Sequence, residues 1–298
     1  FTYEKGGKKW LVTHTQRFGK NLFGPSKYWG VRVSMDYLAL NDADKINEKA
    51  AHRDTKAKSG PDGIEIVDSL FGAVQVDKLD NDNAIVLREK NVPYDITYIE
   101  PENRPDWFLK ISPHAKVPVL RIGENDALFE SNAIAEYLDE TAAPQLHPAD
   151  PVTRARNRAW TDYVSTFASA ISQTMYSDSE EEFTRKSEKI AEVFGKLNDA
   201  LAKRGNDGPF FNGPKLSLVD AAYAPFLQRY TFMNALRPLG IIEKFPHLKA
   251  WRDALLASQA VKSSTVANIE AVWQENLIIN KRWLAKYVSN DVLGAAAA

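Results

Sequence analysis

A chain of 298 residues, 44% apolar and 26% charged, has the composition of a globular protein and the length for two cores. Its formal net charge of −1 argues against a molecule built as a whole to hold polyanions, and no run of about 18 apolar residues offers a helix to span a bilayer. With no cysteine, disulfides, thiolate metal sites and a cysteine nucleophile are excluded, and the five histidines (14, 52, 114, 147, 247) stand at no metal-ligand spacing, so no metal site is predicted.

Residues 1–63 read as an extended basic and aromatic arm followed by a linker. From Phe1 to Val33 seven Lys or Arg residues face a single acid, Glu4, and seven aromatics interleave with them. Periodicity is poor, so this stretch is expected to lie on something: its own protein, another subunit, or an anionic surface. The same composition suits lipid headgroups or nucleic acid, but no recognition motif supports either, and nucleic acid is not expected. A helix is predicted at about 41–52, and the polar run Thr55 to Gly63 reads as the linker. The start at Phe1, not Met, fits a removed transit or signal peptide and equally an unseen terminus.

Residues 64–141 alternate between strand and helix patterns. Ile64 to Val67 is a β-branched strand, Asn83 to Asn91 a helix stopped by Asn91-Val92-Pro93, and Asp95 to Ile99 a strand of period two. A short helix follows at Asp106 to Ile111. Val117 to Ile122 and Ala127 to Glu130 flank a turn at Gly123 to Asp126, and Ser131 to Glu140 closes the series as a helix. The order is β-α-β-α-β-β-α.

Residues 150–288 show helical spacing only, over 151–176, 180–204, 217–235, 246–258 and 266–287. Ser217 and Asp220 form a predicted capping box, a structural cap that starts the third of these helices. In the last helix Trp273, Leu277, Trp283, Leu284 and Tyr287 make an apolar stripe, read either as self-packing or as a docking face.

The proline in Lys116-Val117-Pro118-Val119 is unexpected at the head of a buried strand. With Glu130-Ser131-Asn132-Ala133-Ile134 and Ser217-Leu218-Val219-Asp220-Ala221-Ala222-Tyr223-Ala224-Pro225 it resembles three motifs of the cytosolic-type glutathione transferase superfamily, in the right order over residues 64–265. The stretch Arg104 to Pro113 and the long loop Ser69 to Asp82 are most similar to the dehydroascorbate reductase and omega-like branch. The resemblance implies a thioredoxin-like α/β domain over 64–141 and an all-helical C-terminal domain over 150–265; beyond it the chain carries an extra C-terminal helix and tail over 266–298. It implies a cis Pro118, glutathione pairing with the backbone of Val117 as a short added strand, Glu130 and Ser131 at its γ-glutamyl end, and Arg104 at its glycine carboxylate.

One element departs from that pattern. The branch places a thiolate cysteine where this chain reads Asp77-Lys78-Leu79-Asp80-Asn81-Asp82-Asn83. Carboxylates there push a glutathione thiol towards its neutral form. Ser69 is the weak candidate for a hydroxyl in the catalytic role; otherwise no catalytic residue is predicted. The first expectation is therefore a non-catalytic interaction subunit of a larger assembly, docked through residues 1–63 and the C-terminal helix. A plastid photosynthetic complex is its suggested home, with the cytosol as the alternative location. The alternatives in function are an active glutathione transferase using a serine or backbone donor, and a glutathione- or ligand-binding protein without turnover.

Overall fold

The computed structural model describes residues 82–99, 104–122 and 126–289 in full, and the backbone of four further strands at 2–5, 8–13, 36–39 and 64–68. Three of those strands, β1 (Thr2–Lys5), β2 (Lys8–Thr13) and β3 (Asp36–Ala39), form an antiparallel sheet in the order β1-β2-β3. Tyr3 pairs with Trp10, and Trp10 with Ala39. Where an extended arm is expected, the described parts of the N-terminal stretch thus pair with one another. The helix expected at 41–52 and the linker at 55–63 lie outside the described residues.

The second sheet holds β4 (Ile64–Asp68), β5 (Asp95–Tyr98), β6 (Val119–Ile122) and β7 (Asp126–Phe129) in the order β5-β4-β6-β7. β4 runs parallel to β5 and antiparallel to β6, and β6 pairs antiparallel with β7. Helices α1 (Asp82–Glu89), α2 (Asp106–Ile111) and α3 (Ser131–Thr141) complete the β-α-β-α-β-β-α order read from the sequence. This is the thioredoxin-like domain.

The rest is helical: α4 (Pro151–Met175), α5 (Glu180–Ala202), α6 (Leu218–Leu236), α7 (Pro246–Ala257), α8 (Gln259–Lys262) and α9 (Ile269–Ile279), with 3-10 turns at Ile242–Lys244 and Trp283–Tyr287. Helices α4 and α5 start where the sequence provides an acceptor. Asp150 takes the Thr153 N–H before Pro151, and Ser179 takes the Glu182 N–H. Helix α6 is the hub. It is apolar around most of its circumference, and every residue from Leu218 to Leu227 is buried. Tyr223 reaches across to donate to the Trp160 carbonyl at 2.8 Å, and its ring meets Phe167, which stacks on Phe194.

The capping box is present as read. The Ser217 N–H donates to Asp220 Oδ2 at 2.8 Å, while Asp220 Oδ1 accepts the Phe211 N–H at 2.9 Å and the Trp251 indole N–H. Within the thioredoxin-like domain a buried ion pair ties the end of α1 to α3. Lys90, at the end of α1, donates to Asp139 at 2.8 Å and to the carbonyls of Ala142 and Pro144. Burial pulls the Asp139 carboxyl upward, but Lys90 and the N–H groups of Leu146 and His147 outweigh it and hold the group below its ordinary range.

The C-terminal stripe is corrected by the structure. Trp273, Leu277 and Leu284 are buried in the protein's own body. Trp283 stacks near Phe183 at 4.8 Å and gives its N–H to the Ser177 carbonyl, and Arg282 pairs with Asp178. The helix expected through 287 stops at Ile279. Lys281 takes a φ of +51°, and Arg282 donates back to Leu277, a left-handed helix stop. Three of the five stripe residues thus cover the protein's own core, while Tyr287 is exposed.

Candidate functional site

The cleft lies at the mouth of β6. Ser112, which follows α2, closes the loop ahead of the strand: its hydroxyl accepts the Lys116 N–H at 2.9 Å and donates to the Lys116 carbonyl at 2.8 Å. That clamp presents His114 and Lys116 outward while burying Val117. The Val117–Pro118 peptide is cis. Among the described residues nothing donates to the Val117 carbonyl or accepts its N–H. A peptide-like ligand thus finds one donor and one acceptor in the geometry of a strand edge.

The far wall is the start of α3. Glu130 stands just before it with φ at +67°, a conformation that costs a residue with a side chain and is held here by the turn from β7 into α3. Glu130 caps no N–H of α3 with its side chain, so the first N–H groups of the helix remain available to an anion, with the Ser131 hydroxyl among them. The Glu130 carboxylate instead meets His114 Nδ1 at 2.8 Å, and the His114 ring packs edge-on to Phe129. Ser112, Lys116, Val117, Pro118, Glu130 and Ser131 all line this one cleft, together with His114 and Phe129. A cation at one end, an open peptide in the middle and a helix N-terminus at the other end suit a short peptide with a carboxylate at each end.

The structure therefore brings Val117, Pro118, Glu130 and Ser131 together and leaves Arg104 out. Arg104 is exposed ahead of α2 and does not line the cleft, whereas Lys116 does. Ser69, Asp77 and Asp80 lie outside the described residues. Sequence reading passed over Lys116 and His114 as single residues, although both sit in the loop that leads to Pro118. Ser217 and Asp220 belong to the core of the helical domain, as a structural cap should.

Asp82, the first residue of α1, is buried at the domain junction, where a crevice is also lined by Val86, Asn132, Glu136, Thr161 and Leu218. Its Oδ1 accepts the Asn83 N–H at 2.8 Å. Burial raises it to about 6, against that bond and the pull of the Ser131 hydroxyl. Glu136, on the same crevice, is held by Arg158 and by His147. For Glu136 burial is the largest single influence, but these partners together outweigh it and lower the carboxyl. The positive end of α1 is thus occupied by the carboxyl of the helix's own first residue.

Residues 83–141 match the family model described as glutathione S-transferase, N-terminal domain, and residues 180–254 match glutathione S-transferase, C-terminal domain. The chain is 31% identical over 189 residues to glutathione S-transferase U16 of Arabidopsis thaliana, covering 60% of this chain and 80% of that protein. It is 27% identical over 191 residues to glutathione S-transferase DHAR3, chloroplastic, of the same plant, covering 63% and 68%. Among solved structures, the rice protein GST1 in complex with glutathione superposes with a TM-score of 0.61 at 24% identity, covering 74% of this chain and 97% of that one.

Proposed function

Because the chain belongs to the glutathione S-transferase family, we propose that it binds glutathione in the cleft between Lys116 and Ser131 without activating the thiol, and serves as an interaction subunit of a larger assembly. The observation that carries the first half is the occupancy of the α1 N-terminus by Asp82. A helix start stabilises a thiolate only while its N–H groups and positive end face the sulfur. Here they face a carboxyl, and an anion at that place opposes a second one. The cleft itself keeps what a glutathione backbone needs: the free peptide groups of Val117, Lys116 for one carboxylate, and the α3 N-terminus for the other. The rice relative's structure contains glutathione, which supports the ligand class.

The competing reading is an active transferase with Ser69 or a backbone N–H as the thiol's donor, favoured by the names of the relatives. Calorimetric titration with glutathione beside an electrophile-conjugation assay separates the two. The interaction role rests on the basic, aromatic residues 1–63, which exceed what the two-domain body needs. Removing them is expected to leave that body folded by circular dichroism while the native assembly, sized by gel filtration from the source tissue, loses this chain. An unfolded truncation would show that the segment is part of the core. A plastid location is proposed from the chloroplastic relative, with the cytosol as the alternative, and cell fractionation decides it.

A further inference from the structure

Beside the anion-receiving start of α3, the cleft carries an anion of its own. Among the described residues that line it, Glu130 is the one carboxylate and Lys116 the one ammonium. The Glu130 side chain caps no N–H of α3. Its Oε1 instead meets His114 Nδ1 at 2.8 Å, and among the described residues Oε2 takes no hydrogen bond. An ionised carboxylate only accepts, so the proton between them sits on Nδ1 and His114 is the donor. The His114 ring also stands edge-on to Phe129, with centroids 5.4 Å apart. His114 comes from the loop that Ser112 clamps, and Glu130 from the corner between β7 and α3. Their contact therefore ties one wall of the cleft to the other.

We propose that His114 is a positioning residue that makes the cleft select ligands ending in a free α-amino acid: it holds one oxygen of Glu130 and leaves the other to receive the ligand's ammonium. The inference rests on the reading of the cleft as a glutathione site. The first N–H groups of α3 accept a ligand carboxylate, but Glu130 beside them repels one that comes alone. An α-amino acid end carries both signs on one carbon. Its carboxylate meets the helix start while its ammonium meets Glu130. A carboxylate that turns freely gains less from such a pairing, because ordering it costs side-chain freedom. His114 has already ordered it. Both side chains are half exposed, 53% for His114 and 55% for Glu130, so water screens their own attraction and the contact serves to orient. The same pairing gives the ligand its direction. A peptide with a carboxylate at each end and an ammonium at only one is bound with the amino end at Glu130, which leaves its other carboxylate to Lys116.

The test uses the full chain and two probes in isothermal titration calorimetry: S-methylglutathione, and its analogue with glutaryl in place of γ-glutamyl, which lacks only the amino group. The wild type is expected to bind S-methylglutathione about tenfold more tightly than the glutaryl analogue, as one charge-assisted hydrogen bond provides. His114→Ala should reduce that preference to about threefold or less, while the affinity for the glutaryl analogue changes by less than about twofold. His114→Asn, whose side-chain amide offers an N–H in the place of Nδ1, should restore most of the preference. Glu130→Gln should lose it, and adding His114→Ala to Glu130→Gln should change nothing further. Equal weakening of both probes by His114→Ala would show that His114 only shapes the cleft, and tighter binding of S-methylglutathione would show that it competes with the ligand for Glu130. Either result overturns the proposal. Equal wild-type affinity for the two probes also overturns it and leaves the cleft reading standing. No binding of either probe removes the cleft reading, and this inference with it.

Discussion

Asp220→Ala is expected to lower the unfolding free energy by about 4 kcal/mol. The carboxylate gathers the N–H groups of Phe211, Ser217 and the Trp251 indole, and all three residues are buried. Removing it leaves three donors without acceptors, each costing about 1–3 kcal/mol of desolvation, and the start of α6 loses its cap. Since α6 is the hub of the helical domain, the loss should appear as a lower denaturant midpoint with an unchanged slope. Asp220→Asn keeps the shape but turns an N–H group towards one of the donors, so it should restore only part of the loss. A decrease below about 1 kcal/mol for the alanine variant would mean that Asp220 is dispensable to the core.

Asp82→Asn is expected to act in the opposite direction. The Asp82 carboxyl is raised from 3.8 to about 6 in the folded protein, first by burial, so the folded state holds a proton there that the unfolded chain releases. Asp82 therefore favours folding least at high pH: its contribution falls as pH rises from about 4 to about 6 and then stays level. The neutral amide removes that penalty. At about pH 7.5 the variant should be more stable than the wild type by about 3 kcal/mol, with the gain vanishing towards about pH 4. Denaturant titrations of both proteins across this range check it. A variant less stable than the wild type at neutral pH would show that the ionised carboxyl is well solvated or paired.

Both residues lie in stretches singled out from sequence, but only one was legible in full. The box at Ser217 and Asp220 is local: two residues three apart before an apolar run, with backbone partners determined by the helix start itself. The β-α-β-α-β-β-α order was legible for a similar reason, since Ile64 to Val67 and Asp95 to Ile99 alternate as half-buried strands do. Pro118 was legible because only a special backbone explains a proline at a strand head.

The direction of Asp82 was not legible. Its place at the start of α1 is local, but its burial against α3 and α6 comes from domain packing, which has no period in the sequence. Lys116 and His114 escaped because the Ser112 clamp that aims them is made of side-chain-to-backbone bonds within a loop. At the C-terminus, Trp273 and Leu277 gave a stripe but not its direction, and Lys281 carries no glycine signal for the left-handed stop. The N-terminal sheet had a signal that went unused. Gly6 and Gly7 stand between β1 and β2, a two-residue hairpin dipeptide between strands.

The claim that glutathione enters this cleft without being turned over meets its most direct measurement in one experiment on the intact chain. Glutathione is titrated calorimetrically, and the same preparation is assayed for conjugation to a general electrophile. The account predicts saturable binding, with conjugation no faster than in buffer. Conjugation well above the buffer rate, lost in Ser69→Ala, would contradict it.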